Sequence, residues 1–135
     1  MRVIICGGRD FIDYDFMFKK LDMIFANSKP VEIVSGKNKM EVKDDKGRVI
    51  KITGADYYGE RYAEKNGIAV KPFPADWAQG RKAGPLRNEE MAKYATHCVA
   101  FWDGNSRGTK DMIDRAKAHG LPTRVILFQS PAIHH

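Results

Sequence analysis

The stretch Cys98-Val99-Ala100-Phe101-Trp102-Asp103-Gly104-Asn105-Ser106-Arg107-Gly108-Thr109 decides the reading of this chain. Five apolar residues run into an acid and a glycine-bearing loop. Beyond the loop, Thr109, Met112, Ile113 and Ala116 recur at helical spacing. A strand that passes through such a loop directly into a helix is half of a βαβ unit. The start of the chain repeats the arrangement: residues 2–6 read as a strand and Gly7-Gly8-Arg9-Asp10 as the turn leaving it.

Between and around these two pieces the signals alternate. Residues 31–35, 68–73 and 123–128 are further short strand runs. Met17, Leu21, Ile24 and Phe25 form one helical stripe, with Asp13 placed to cap it. Ala55, Tyr58, Tyr62 and Ala63 form a second, which Asn66-Gly67 stops. Pro85 opens a third, with Met91, Tyr94 and Ala95 inward; Gly120 and Pro122 close the fourth. The fold class that follows is α/β, a Rossmann-like, doubly wound, mostly parallel five-stranded sheet in the order 3-2-1-4-5. Residues 40–43 and 48–52 flank Asp44-Asp45-Lys46-Gly47 and read as a β-hairpin inserted at about 38–52. The chain of 135 residues reads as one domain.

A formal charge of +6 points to an anionic partner. Half of it lies in one segment: Lys37, Lys39, Lys43, Lys46, Arg48 and Lys51 stand against Glu41, Asp44 and Asp45. Six minus three, with both signs interleaved, is the pattern of a solvated face rather than a DNA-binding arm. A two-stranded hairpin is marginal alone, so it is expected to pack on something. The crevice, with Lys37, Lys39 or Lys51 around a ligand, a second subunit and nucleic acid are the occupants considered. No apolar run approaches the ~20 residues of a membrane span, and the first residues read as a strand rather than a signal peptide. A cytoplasmic location without membrane attachment is the expectation. Cys6 would close one strand and Cys98 open its neighbour, about 10–13 Å away along the strands, so both read as buried free thiols. His97, His119, His134 and His135 match no metal-ligand spacing, and no cofactor is implied.

In the order 3-2-1-4-5 the first and fourth strands are neighbours where the winding reverses, and their outgoing loops share one crevice. The Asp103–Thr109 loop supplies two glycines, two hydroxyls and a helix N-terminus, the parts of a phosphate cradle. Thr109 falls on the inward stripe, where an N-cap or a core hydroxyl would also account for it. In the first turn, Gly7 and Gly8 let backbone amides approach an anion and Arg9 adds charge. Trp77, in the loop leaving the third strand, is placed either to stack on a base or to cover the core. Arg87 shares the inward face of the third helix with Met91. It therefore needs an anionic partner, either a ligand, which the helix's start at the crevice favours, or a buried acid such as Asp103 or Asp111, or else a route to solvent. There is no G-x-x-x-x-G-K-[ST]. There is also no G-x-G-x-x-G with an acid closing the second strand, which ends in Ser35-Gly36.

The motifs M-R-V-I-I-C-G-G-R-D-F, G-A-D, F-P-A-D-W, A-G-P-L-R-N-x-x-M and A-F-W-D-G-x-S-R-G-T-K-x-M-I, in this order from Met1 to about residue 128, resemble those of the YspA-like proteins. That family belongs to the SLOG superfamily, with the Lonely Guy phosphoribohydrolases and the DNA-processing protein A family. The resemblance implies a nucleotide-derived ligand, such as an ADP-ribose relative, and a setting in bacterial and phage conflict systems. It matches Asp103–Thr109 to the phosphate loop of the Lonely Guy enzymes, and Arg87 with Met91 to their arginine segment. Their glutamate three residues past the threonine is Met112 here, with Asp111 one position earlier. Arg87 and Asp111 are therefore only candidates for catalysis. The ligand-binding candidates are Gly7, Gly8, Arg9, Asp10, Ser35, Gly36, Asp56, Trp77, Arg87, Asn88, Asp103, Gly104, Ser106, Gly108 and Thr109. The expected function is binding of an ADP-ribose-like or nucleoside monophosphate-like molecule, as a sensor or sequestering protein. Nucleotide N-glycosidase and nucleic-acid adaptor are the alternatives, and a homo-oligomer is compatible with each.

Overall fold

The structure, a computed structural model, describes residues 1–129; His134 and His135 lie outside the described residues. Five strands form one sheet: β1 (Arg2–Gly7), β2 (Glu32–Ser35), β5 (Ala69–Pro72), β6 (His97–Trp102) and β7 (Thr123–Leu127). Their order is β5-β2-β1-β6-β7, which is the 3-2-1-4-5 winding, and every pairing is parallel. The hairpin β3 (Met40–Lys43) and β4 (Val49–Thr53) is a separate antiparallel pair.

The two sheet faces explain why the central strands are apolar without alternation. On one face Val3, Ile5, Ile33, Val99 and Phe101 meet Met17 and Leu21 of α1 (Tyr14–Ile24) and Tyr58, Tyr62 and Ala63 of α2 (Ala55–Lys65). On the other, Ile4, Cys6, Val34, Cys98 and Ala100 meet Met91 and Ala92 of α3 (Ala83–Tyr94) and Met112, Ile113 and Ala116 of α4 (Arg107–Ala118). Side chains alternate between faces along a strand, and here both faces are dry. Helices α1 and α2 thus cover one side of the sheet, α3 and α4 the other.

Local chemistry sets the helix starts. Asp13 accepts the Phe16 amide at 3.0 Å and caps α1. The start of α2 is tied to the turn after β1: the amides of Gly54 and Ala55 donate to Phe11 and Gly8 carbonyls at 3.0 and 3.1 Å. Helix α3 begins at Ala83, two residues before the proline that was expected to open it, and Arg87 lies one turn in. A 3₁₀ stretch, Trp77–Lys82, kinked at Gly80, fills what the sequence reads as loop.

Two expectations change. Cys98 pairs with Ile4 and Cys6 with Ala100, an offset of two residues, or about 7 Å along the strands instead of 10–13 Å. Strand β6 begins one residue earlier than expected, and both thiols are buried and free, with Cys6 Sγ donating to the Val99 carbonyl at 3.9 Å. The hairpin does not fold over the crevice either. Its strands are exposed along almost their whole length, and Thr53 Oγ donates to the Arg9 carbonyl at 2.8 Å at its root.

Candidate functional site

Gly7 pairs with Phe101 at the end of the β1–β6 ladder, so the loops leaving these strands open side by side. A cavity of about 800 Å³ lies at this edge, a size suited to a small-molecule ligand. Its walls come from five places: the turn after β1 (Cys6, Gly7, Gly8, Arg9), the first residues of α4 (Ser106 to Thr109), α3 (Arg87, Asn88, Met91), Asp56 with Asn38, and Trp77 of the 3₁₀ stretch. Topology alone brings these together, because only at the winding reversal do outgoing loops diverge around a gap.

The α4 wall is a helix N-terminus whose first amides have no intrahelical partner. Ser106, not Thr109, is the N-cap: its Oγ accepts the Thr109 amide at 3.4 Å. Thr109 is a buried hydroxyl 3.1 Å from that oxygen and still lines the cavity. The loop before it is held by Asp103, whose Oδ1 accepts the Asn105 and Ser106 amides, each at 2.8 Å. No acid stands within the first turn of α4 itself, and the Asp103 carboxylate is bound to the two amides just before it. A methyl group on Gly108 would meet no atom within 4 Å, and its backbone is ordinary for any residue. Packing therefore does not require glycine at this point of the wall.

Arg87 is 7% exposed and makes neither of the ion pairs, with Asp103 or Asp111, that were the alternative to a ligand. Its Nη1 donates to the Gly36 carbonyl and its Nε to Asn88 Oδ1 at 2.9 Å. Asn88 in turn donates through Nδ2 to Asp111 Oδ2 at 2.9 Å and to the Gly108 carbonyl at 3.4 Å. Asp111 is also ion-paired with Arg115 at 2.9 Å, which removes it from Arg87's reach. Asp103 is likewise occupied by its own loop. The acid that does act on Arg87 is Asp56, through the field rather than a direct pair. Burial lowers the Arg87 pKa, and Asp56 and Cys6 oppose that shift.

Asp56 stands in the first turn of α2, 5% exposed. Burial pushes its carboxyl up to about 7; the Asn38 amide, at 3.0 Å from Oδ2, and Arg87 and Lys37 pull it back, while Glu60 adds to the rise. Gly36 sits between the two charged groups. A Cβ there would lie 2.7 Å from Arg87 Nη1 and 3.1 Å from Asp56 Oδ2, so the glycine makes room for both.

Of the candidate residues, the cavity gathers Gly7, Gly8, Arg9, Asp56, Trp77, Arg87, Asn88, Ser106, Gly108, Thr109 and Asp111. Trp77 is 63% exposed, so it stands at the rim and does not cover the core. Five candidates do not line it: Asp10, Ser35, Gly36, Asp103 and Gly104. Ser35 donates to Glu60 and accepts the Lys37 amide, and Gly36 and Asp103 support lining residues from behind. Lys37, Lys39 and Lys51 are also absent from the walls, Lys37 being held by Glu60 at 2.7 Å. The sequence reading missed Cys6, Asn38, Gly84, Pro85, Met91, Arg107 and Met112. Cys6, Gly84, Pro85, Met91, Arg107 and Met112 all lay within the quoted motifs; Asn38 gave no signal, since its place depends on the chain path into the hairpin. The Cys6 thiol is raised by its hydrogen bond with Cys98 and then by burial, which makes it a poor nucleophile. Among the described residues no three His, Cys, Asp or Glu side chains converge as a metal site, and no helix is long and apolar enough to cross a membrane. No family model, curated protein or solved structure matches this chain, so any functional reading rests on the residues and geometry just described.

Proposed function

We propose that this chain binds a phosphate-bearing nucleotide derivative, ADP-ribose-like or nucleoside monophosphate-like, in the crevice between the β1 and β6 loops. The phosphate sits on the N-terminus of α4, and Arg9 and Arg107 add positive charge at the same walls. The observation that carries this reading is the open space at Gly108: the helix start presents bare backbone to the cavity where the fold itself would admit a side chain. The exposed Trp77 ring at the rim suits a stacked base. The resemblance to YspA-like proteins favours the same class of ligand.

Sensing or sequestration is favoured over N-glycosidic hydrolysis. Asp111, the acid nearest the position of the Lonely Guy glutamate, already has both oxygens engaged by Arg115 and Asn88. Nucleic-acid binding is disfavoured because the basic residues of the hairpin segment are interleaved with Glu41, Asp44 and Asp45, the pattern of a solvated face.

The test is a thermal-shift screen of the wild type and Gly108→Val with ADP-ribose, its cyclic isomers, AMP and IMP. At least one compound should raise the wild-type midpoint, and Gly108→Val should lose that shift while keeping its own midpoint near wild type. No response from the wild type, or an equal response from the variant, overturns the reading.

A further inference from the structure

Two charged side chains are buried at the cavity and yet not fully used. Among the described residues the Asp56 carboxyl accepts one hydrogen bond, at Oδ2, and none at Oδ1. Arg87 donates through Nε and Nη1 and not through Nη2. No side-chain nitrogen or oxygen of the described residues is sealed from solvent without a partner. Both residues line the cavity, and neither Oδ1 nor Nη2 is sealed from solvent. Burying a charge with spare hydrogen-bonding capacity is costly, and a ligand that completes the set recovers the cost.

The pairing is chemically selective. A guanidinium only donates, and an ionised carboxylate only accepts. The group that satisfies both must accept and donate from adjacent atoms, as the two hydroxyls of a cis-diol do. Asn88 fixes where this group stands relative to the phosphate. Its amide joins Arg87 Nε on one side to the Gly108 carbonyl on the other, so the charged pair lies one side-chain amide away from the start of α4. In a nucleotide, the unit directly attached to the phosphate is the sugar.

On the proposal that a nucleotide phosphate occupies the α4 N-terminus, we infer that Asp56 and Arg87 read the 2′- and 3′-hydroxyls of its ribose, so that the site selects ribonucleotides over deoxyribonucleotides. Gly36 is part of this device: its missing side chain leaves room for the guanidinium, which donates to its carbonyl, and for the carboxyl beside it. A site built to hydrogen-bond a hydroxyl rejects the analogue that lacks it, because its own buried groups are then left unpaired.

The experiment compares AMP, 2′-deoxy-AMP and inorganic phosphate by calorimetry on the whole chain, as wild type, Asp56→Asn and Gly108→Val. The expected wild-type preference for AMP over 2′-deoxy-AMP is about tenfold or more, the scale of one hydrogen bond to a charged group. Asp56→Asn, of the same shape, should bring the two within about twofold while phosphate still binds. Gly108→Val should weaken all three. Equal wild-type affinities for AMP and 2′-deoxy-AMP, with phosphate still bound, overturn ribose reading and leave the phosphate site standing. Failure of all three ligands to bind the wild type overturns both. The wild-type ratio decides the matter even if Asp56→Asn does not fold, and an undiminished preference in a folded Asp56→Asn protein removes Asp56 from the role.

Discussion

Gly7 closes β1 and Gly108 opens α4, and both stand on the same cavity, yet a methyl group would meet different surroundings at each. At Gly7 it would lie 2.4 Å from the Phe101 carbonyl oxygen and 2.6 Å from Ala55 Cβ. At Gly108 it would meet nothing within 4 Å. The first glycine is demanded by the fold, since β1, β6 and the start of α2 converge on it. The second is not, and what it keeps open is space above a helix N-terminus. A glycine-rich turn is therefore evidence for a ligand only where packing leaves the missing side chain unexplained. By that measure the loop after β6 carries the functional argument, and the turn after β1 carries the fold.

Gly7→Ala is the most severe way to challenge this contrast. The clash is with backbone, which cannot rotate away, so a loss of about 3 kcal/mol or more is expected in urea unfolding, at the upper end for overpacking. Gly108→Ala in parallel should be neutral or slightly stabilising, as alanine generally is in a helix. Similar losses in the two proteins would dissolve the distinction.

Asp56 gives an effect of intermediate size that depends on pH. Its folded value of about 7 exceeds its ordinary 3.8, so between these values the folded state binds more protons than the unfolded one. The sign follows: its contribution is fully present below pH 3.8 and is lost as pH rises through about 7. Denaturant midpoints of the wild type should decline over that window, and those of Asp56→Asn should decline less. Ligand discrimination should run the opposite way, because the ionised carboxyl is the better acceptor for hydroxyls. The groups acting on Asp56 are Arg87 of α3, Glu60 of its own helix, Lys37 after β2, the Asn38 amide and Cys6 of β1. AMP and 2′-deoxy-AMP carry the same phosphate, so their affinity ratio isolates the protein's titration. A ratio that is flat from pH 6 to 8 would separate Asp56 from the sugar.

The hairpin should give the smallest effect. Replacing residues 41–51 with a short Gly-Ser link, while keeping Asn38 and Thr53, retains the contacts to Asp56 and Arg9. Stability should change by no more than about 0.5 kcal/mol, as for surface changes generally, with AMP affinity preserved. A lower mass by light scattering, beyond the residues removed, would instead make the hairpin a subunit contact. A DNA affinity that falls steeply with salt and disappears with the hairpin would make it a nucleic-acid arm.

Element type and order were legible in the sequence because they depend on local patterns. Short apolar and β-branched runs, period-3.6 apolar spacing, Asp13 as a cap and Asn66-Gly67 as a stop act over a few residues, and the handedness of parallel crossovers leaves few windings. The glycine loop before α4 was legible for the same reason. Other features depend on register and on packing between distant segments. A one-residue change in where β6 begins brought Cys98 toward Cys6, and the early start of α3 put Arg87 one turn inside its helix. Arg87 then met the Gly36 carbonyl and the field of Asp56 rather than Asp103, whose Oδ1 holds its own loop, or Asp111, whose two oxygens Arg115 and Asn88 engage. Sequence spacing says which side chains need a partner, whereas only the three-dimensional placement of the helices on the sheet decides which partner is within the roughly 3 Å of a hydrogen bond.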